Sequence, residues 1–243
     1  RLIDFRRSAV TFFATDDTNI YYEIHGKGFP ILLFAPGGMR SALSFWQSSP
    51  WNPIEVLSKE FMVIAMDQRN AGQSHAPISQ TDGWQTYTQD HIDLLDSLNI
   101  DRCHVMGGCI GGPYCFGLIQ AQPERVAAAI IQQTIGLDNN QEAFYDMFDS
   151  WAAEFSDVPQ PTLNQFRSNM YDNEFLLNVD ESFVATCATP LLVLMGNDLY
   201  HPQSTSRRIC ELASNARLIE AWKSPDTIAD TVSQCIDFLK VNT

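Results

Sequence analysis

The stretch "VMGGCIGGPYCFGL", residues 105–118, sets Cys109 among Gly107, Gly108, Gly111 and Gly112. Glycines permit positive-φ turns and close approach of neighbouring chain, so a side chain in the middle of such a run is pushed out of the turn. An apolar strand-like segment precedes the run and a helix-like segment follows it, which seats the thiol at a helix start. The partial positive charge there favours thiolate over thiol, and the thiolate is the nucleophile. Cys103, Cys187, Cys210 and Cys235 lie in apolar strand-like or helix-like settings and read as buried small hydrophobes. With Cys115 the cysteines number six, without the density or paired spacing of a disulfide scaffold or zinc ribbon. They read as separate thiols of a reducing compartment.

The elements that must position Cys109 follow from hydrophobic patterning. "SAVTFFAT" and "NIYYEIHG", parted by the polar "DDT", predict an opening antiparallel hairpin. "PILLFAPGG" and "FMVIAMD" are continuous apolar runs, as expected of parallel strands covered on both faces. "FWQSSPWNPIEVLSKE" between them is expected to supply a crossover helix. "TYTQDHIDLLDSLNI" carries Tyr87, His91, Leu95 and Leu98 at helical spacing and leads into the strand "RCHVMGG". "AAAIIQQTI", "TPLLVLMGND" and "ARLIEAW" read as further buried strands. "STSRRICELA" and "TIADTVSQCIDFLKV" read as helices, the latter with Ile228, Val232, Ile236 and Leu239 on one face. Residues 138–185 break the alternation with "FYDMFDSWAAEF" and "LNQFRSNMYDNEFLLNV", a helical insertion too long for a plain loop. The whole pattern predicts one α/β domain over residues 1–243: a mostly parallel central sheet flanked by helices, with a small helical cap.

Strand, Gly107-Gly108-Cys109-Ile110-Gly111, then helix is a nucleophile elbow, G-x-nucleophile-x-G, with cysteine in place of serine. On this elbow, on "MDQRNAGQS" (similar to a D-x-R-G-x-G-x-S loop from Asp67 to Ser74) and on "GND" after the penultimate strand, the chain resembles the α/β-hydrolase superfamily over nearly its whole length. The resemblance implies an oxyanion hole of two amides, from Ile110 and from Gly38, with Met39 as the alternative donor in "APGGM". It also implies that Asp198 is the acid of a triad. The insertion lies where related hydrolases carry a cap, and its Phe144, Tyr145, Phe148, Trp151, Phe155, Phe166, Tyr171 and Phe175 are candidates for an apolar roof over a small ligand.

The family's general base sits in the loop after the last strand, and here "EAWKSPDTIAD" holds no histidine. A base must reach the nucleophile's proton within about 3 Å or through one water. His104 precedes Cys109 by five positions along a strand, roughly 16 Å at about 3.3 Å per residue, and reads as a core residue. His91 shares an apolar helical face with Tyr87 and Leu95, and His25 ends a strand beside Gly26. His75 follows the "DQRNAGQS" loop at the carboxyl edge of the sheet. His201, three residues after Asp198 in "GNDLYHP", lies two strand spacings from the elbow, about 10 Å that side chains and a loop can close. The expected triad is therefore Cys109, His201 and Asp198. Two other readings stay open: a self-sufficient thiolate without a dedicated base, and a catalytically silent or non-hydrolytic protein, a small-molecule receptor or a lyase.

The formal charge of −14 repels phosphate backbones and anionic lipids, which excludes nucleic acid and membrane surfaces as natural partners. "RLIDFRRSAV" has no apolar core of a secretory signal, and no run of about 18 apolar residues occurs, so a cytoplasmic protein is expected. No basic cluster marks a phosphate or coenzyme A pocket and no spacing marks a metal site, so neither cofactor nor metal is expected. The reading that results is a hydrolase of a small apolar ester, lactone or thioester, acting through a Cys109 acyl-enzyme.

Overall fold

A computed structural model describes residues 11–15 and 17–243. Its eight-stranded sheet is built from β1 (Thr11–Ala14), β2 (Asn19–His25), β3 (Pro30–Phe34), β4 (Met62–Met66), β5 (Cys103–Gly108), β6 (Val126–Gln132), β7 (Leu191–Leu194) and β8 (Ala216–Ile219), in the order β1-β2-β4-β3-β5-β6-β7-β8. β1 and β2 form the expected antiparallel hairpin, and the part of that expectation falling on residues 8–10 lies outside the described residues. β2 also pairs antiparallel with β4, and the remaining strand pairs are parallel.

The continuous apolar runs are explained by burial on both faces. Leu32, Phe34, Val105 and Ile131 point into one core, whereas Ile31, Leu33, Met106 and Ile130 point into the other. Alternating side chains of a strand point to opposite faces, so a strand covered twice must be apolar throughout. The helices that cover it are α1 (Pro53–Leu57), α2 (Trp84–Ser97), α3 (Gly111–Ala121), α4 (Gln141–Ala152), α5 (Gln160–Tyr171), α6 (Glu181–Thr186), α7 (Gln203–Leu212) and α8 (Ile228–Val241).

Two segments depart from the sequence expectation. The crossover between β3 and β4 is not one helix: Leu43–Ser48 forms a 3-10 turn and only Pro53–Leu57 is α-helical. Pro50 and Pro53 interrupt the segment, because proline lacks the amide a helix interior needs and fits its first turn instead. Asn52 caps the short helix by accepting the amide of Ile54 at 3.1 Å. In the insertion, the second helical stretch ends at Tyr171 and α6 is additional, capped by Asp180, which accepts the amide of Phe183 at 2.8 Å.

The insertion lies between β6 and β7, and its aromatic side chains are continuous with the core beneath it. Phe144, Phe148, Trp151, Phe166 and Tyr171 are buried, with Phe144 stacked on Tyr171 at 5.6 Å and Phe148 edge-on to Phe166 at 5.3 Å. They act as packing that fastens the insertion to the sheet. Trp151 Nε1 adds a polar tie, donating to the Asn70 carbonyl at 3.1 Å.

The Asp67–Ser74 loop is held from within. Asp67 accepts the amides of Leu43 and Gln73, each at 2.8 Å, and Ser74 Oγ donates to the Asp67 carbonyl at 2.8 Å while accepting from the Tyr21 amide at 2.8 Å. Arg69 turns inward to meet Asp90 of α2 in a bidentate pair, Nε to Oδ2 at 2.7 Å and Nη2 to Oδ1 at 2.9 Å, with Asp82 at 3.8 Å. Among the described residues no helix is long and apolar enough to cross a membrane.

Arg69 and Asp90 are both buried, so removing one partner strands the other charge. Asp90→Ala should destabilise the fold by about 3 kcal/mol. Urea unfolding followed by fluorescence should show this as a lower midpoint at an unchanged slope; an unaltered midpoint would mean that the pair contributes nothing net.

Candidate active site

The chain leaves β4, passes over β3 and enters the sheet again at β5. In open α/β sheets such a reversal opens a crevice at the carboxyl ends of the strands. The loop after β3 and the turn after β5 meet there.

Cys109 sits in that turn with φ +57°, a left-handed conformation that costs a non-glycine residue about 1 kcal/mol or more. The strain falls on the cysteine itself and not on the glycines around it. Those glycines serve close approach instead: a side chain on Gly107 would overlap the carbonyl of Gly111 as α3 folds back over the end of β5. The turn is fixed from β6, because the Cys109 amide donates to the Gln132 carbonyl at 3.1 Å and the Cys109 carbonyl accepts from Ile135 at 3.2 Å. A further bond, from the Gly112 amide to the Cys109 carbonyl at 3.1 Å, starts the helix.

The structure brings His201 and Asp198 to this cysteine. Both lie in the turn that follows β7, where the His201 amide donates to the Asp198 carbonyl at 3.2 Å and to Asp198 Oδ1 at 3.1 Å. The Tyr200 amide donates to the same carboxylate at 3.0 Å. His201 Nδ1 lies 2.9 Å from Asp198 Oδ2, so Nδ1 carries the donated proton and Nε2 faces the other way. Nε2 is buried without a hydrogen-bond partner in this geometry, and Cys109 acts electrostatically on the imidazole.

The electrostatics of the three groups are mutually consistent. Burial pushes the Cys109 thiol up, but His201 and the amides of Gly37 and Ile110 pull it down further, so its pKa lies below the ordinary thiol value. Burial pushes His201 down, and Cys109 and Asp198 together outweigh this and raise it to about 9. Asp198 is raised by partial burial and lowered more by His201 and the two amides, leaving it below the usual carboxylate range.

Two backbone amides act on the Cys109 sulfur, that of Gly37 from the β3 loop and that of Ile110. Gly37 has φ +121°, a conformation reserved for glycine, which turns its amide before the chain enters a 3-10 turn at Gly38–Arg40. Met39 points away into the core and its sulfur accepts a weak bond from the Tyr171 hydroxyl at 3.4 Å. Gly38 instead backs onto Met147 of α4. Two adjacent glycines are legible in the sequence, but which one presents its amide depends on the turn.

The other histidines take no part in this cluster. His91 is buried with Nε2 at 2.7 Å from Gln68 Oε1 and its ring 4.2 Å from that of Phe34, and burial lowers its pKa to about 3. His104 lies between Phe29 and Phe61 and meets Thr243 Oγ1 at 3.1 Å. His25 pairs with Glu23 at 2.7 Å, and exposed His75 makes backbone bonds with Asn19. Beside His201 lie Tyr200, ring to ring at 6.3 Å, and Phe144, 5.8 Å from Tyr200.

Comparison with known proteins agrees with this architecture. The sequence profile of the alpha/beta hydrolase fold family matches residues 30–219. The "Putative carbamate hydrolase RutD" of Azorhizobium caulinodans is 37% identical over 118 residues, which is 47% of this chain and 41% of that protein. Its namesake in Serratia proteamaculans is 24% identical over 235 residues, covering 83% of this chain and 86% of the relative. The chain spans about two fifths of the length of the first two curated relatives it matches, 41% of each. Among solved structures, the enol-lactonase of Burkholderia xenovorans LB400 superposes with a TM-score of 0.70 at 20% identity, over 95% of this chain and 100% of that one. A meta-cleavage product hydrolase of Pseudomonas fluorescens IP01 gives 0.69 at 19%, over 93% and 96%.

Alkylation of Cys109 by iodoacetamide should become fast at a pH below that of an ordinary thiol, because the thiolate is stabilised in the folded protein. In His201→Ala the burial that raises the thiol pKa loses its strongest opponent, so the pH profile should move upward. Identical profiles for the two proteins would remove His201 from the pair.

Proposed function

Because the chain belongs to the α/β-hydrolase fold family, we propose that it is a cysteine-dependent hydrolase of small esters, lactones or thioesters. The observation that carries this reading is the Cys109, His201 and Asp198 cluster, facing the amides of Gly37 and Ile110. In the cycle, the Cys109 thiolate attacks the substrate carbonyl carbon and a C–S bond forms. The carbonyl oxygen becomes an oxyanion held by the two amides, which are preorganised donors at the place where charge develops. As the oxyanion collapses, the bond to the leaving group breaks and His201 Nε2 gives it a proton, leaving an acyl-enzyme.

Acylation also prepares the second half. The bound acyl group removes the thiolate charge that holds the His201 pKa up, while burial continues to press it down. The imidazole is then neutral and acts as base toward water. Hydroxide attack on the thioester releases the acid and restores the thiolate, with the proton on His201. Asp198, bonded to Nδ1 and fixed by two backbone amides, keeps Nε2 aimed at the sulfur through both halves.

An apolar acyl group fits this reading: Tyr200, which adjoins His201, is a large exposed side chain, and Phe144 packs against it. A carbamate, named in the RutD relatives, presents the same kind of carbonyl and belongs in the substrate panel.

Intact-protein mass spectrometry after exposure to a panel of activated esters, thioesters, lactones and carbamates should detect a transient acyl adduct that is absent from Cys109→Ala. His201→Ala should retain the adduct and release it at least about 100-fold more slowly, the usual loss when a general base is removed. Saturable binding without any adduct would favour the receptor reading and overturn this one.

A further inference from the structure

Lys223 follows β8, in the segment where the family resemblance seats a histidine. Its Nζ donates to Asn197 Oδ1 at 2.7 Å and to Gln133 Oε1 at 3.1 Å, and lies 5.7 Å from the ring centroid of Trp222. Trp222 in turn donates its Nε1 to the Met195 carbonyl at 2.8 Å. One side chain thus joins the segments leaving β6, β7 and β8. Both of its acceptors are neutral amides. A charged donor to a neutral acceptor makes a stronger bond than two neutral groups do.

The two acceptors are adjacent to the site on both sides. Gln133 has φ +37°, a strained position for a residue with a side chain, and its amide donates to the Leu194 carbonyl at 2.7 Å. It lies within the Gln132–Ile135 turn that holds the Cys109 backbone through both its amide and its carbonyl. Asn197 directly precedes Asp198. The nucleophile and the acid with its imidazole stand on β5 and β7, with β6 between them, so their distance depends on how the β6 and β7 exits are held relative to each other.

We infer that Lys223 is a positioning residue: its ammonium ties the turn that clamps Cys109 to the loop that carries Asp198 and His201, and so sets the gap between sulfur and imidazole. The inference rests on the reading of Cys109 and His201 as a working pair. Where the fold family puts its base, this chain puts a brace for a base that has moved to the β7 turn.

The test compares Lys223→Met, Lys223→Arg and Asn197→Ala with the parent protein, and with Lys240→Met, which removes an exposed ion pair to Glu60, as the control. The readouts are the pH profile of Cys109 alkylation and thermal unfolding. Lys223→Met and Asn197→Ala should shift the profile upward by about one pH unit, which is about 10-fold slower alkylation near neutrality. Lys223→Arg, which keeps a charged donor, should recover most of that loss. The control should leave the profile unchanged. If Lys223→Met fails to fold, Asn197→Ala and Lys223→Arg still decide: a parent-like profile in Asn197→Ala overturns the inference. A parent protein whose own profile sits in the ordinary thiol range overturns the Cys109–His201 reading first and this one with it. A depressed parent profile that Lys223→Met leaves unmoved overturns only the role of Lys223.

Discussion

The site depends on a single backbone constraint, the left-handed conformation of Cys109 between β5 and α3. Left to itself a cysteine does not stay there, because its Cβ crowds the backbone. It stays because neighbouring segments leave no alternative. The Gln132 carbonyl takes its amide, the Ile135 amide takes its carbonyl, and the Gly107–Gly111 contact lets the helix return so closely that the turn has no room to relax. The consequence is directional. The thiol stands at the first turn of α3, beside the amide of Ile110 and opposite that of Gly37, whose own left-handed backbone meets it from the β3 loop. A strained cysteine and a glycine at positive φ, following adjacent strands, define one small volume.

Within that volume the contest is between desolvation and fixed dipoles. Burial alone would protonate the sulfur and deprotonate the imidazole, as it does for Cys103, raised to about 12, and for His91, lowered to about 3. At Cys109 and His201 the same burial acts and loses, since each group supplies the other with an opposite charge and the amides and Asp198 add to both. Buried charges persist where opposite charges and dipoles offset the loss of water. The comparison sets Cys109, whose pKa is lowered, apart from the five other thiols, which burial raises.

Much of this was legible in the sequence, and for identifiable reasons. Continuous apolar runs mark strands covered on both faces, so β3 to β7 and their parallel sense could be read directly, and the glycine run located the turn at Cys109. The spacing of Asp198 and His201 permitted their partnership because three residues close one turn and β7 lies two places from β5. What could not be read depends on turn geometry. That the Gly37 amide meets the sulfur follows from where a 3-10 turn begins, and "APGGM" contains nothing that sets this. The crossover after β3 was expected as a helix because its apolar pattern is stronger than its cues for breaking, although Pro50 and Pro53 were in view. The aromatic residues of the insertion were candidates for a roof by composition alone, yet Phe144, Phe148, Trp151, Phe166 and Tyr171 are buried as packing, which no periodicity distinguishes from a ligand wall.

On the proposed reading, cysteine for serine and a base that follows β7 are physically linked. A serine hydroxyl is neutral until the moment of attack, so its base must be placed to take a proton while the bond forms. A thiol is acidic enough to give up its proton beforehand, and the imidazolium that results is held by charge as well as by geometry. The base of a cysteine nucleophile can therefore approach from a different strand, provided that it is held rigidly and has an anion to orient it. The turn after β7 meets both conditions in four residues, since the carboxylate that orients His201 also accepts the backbone amides of Tyr200 and His201. Acid and base then move as one body, and the remaining degree of freedom is the distance from that body to β5. Fixing this distance is a task for the strand between them and for whatever ties its end to the β7 exit. In this chain Lys223, in the segment after β8, bonds to both ends, Gln133 beyond β6 and Asn197 beyond β7.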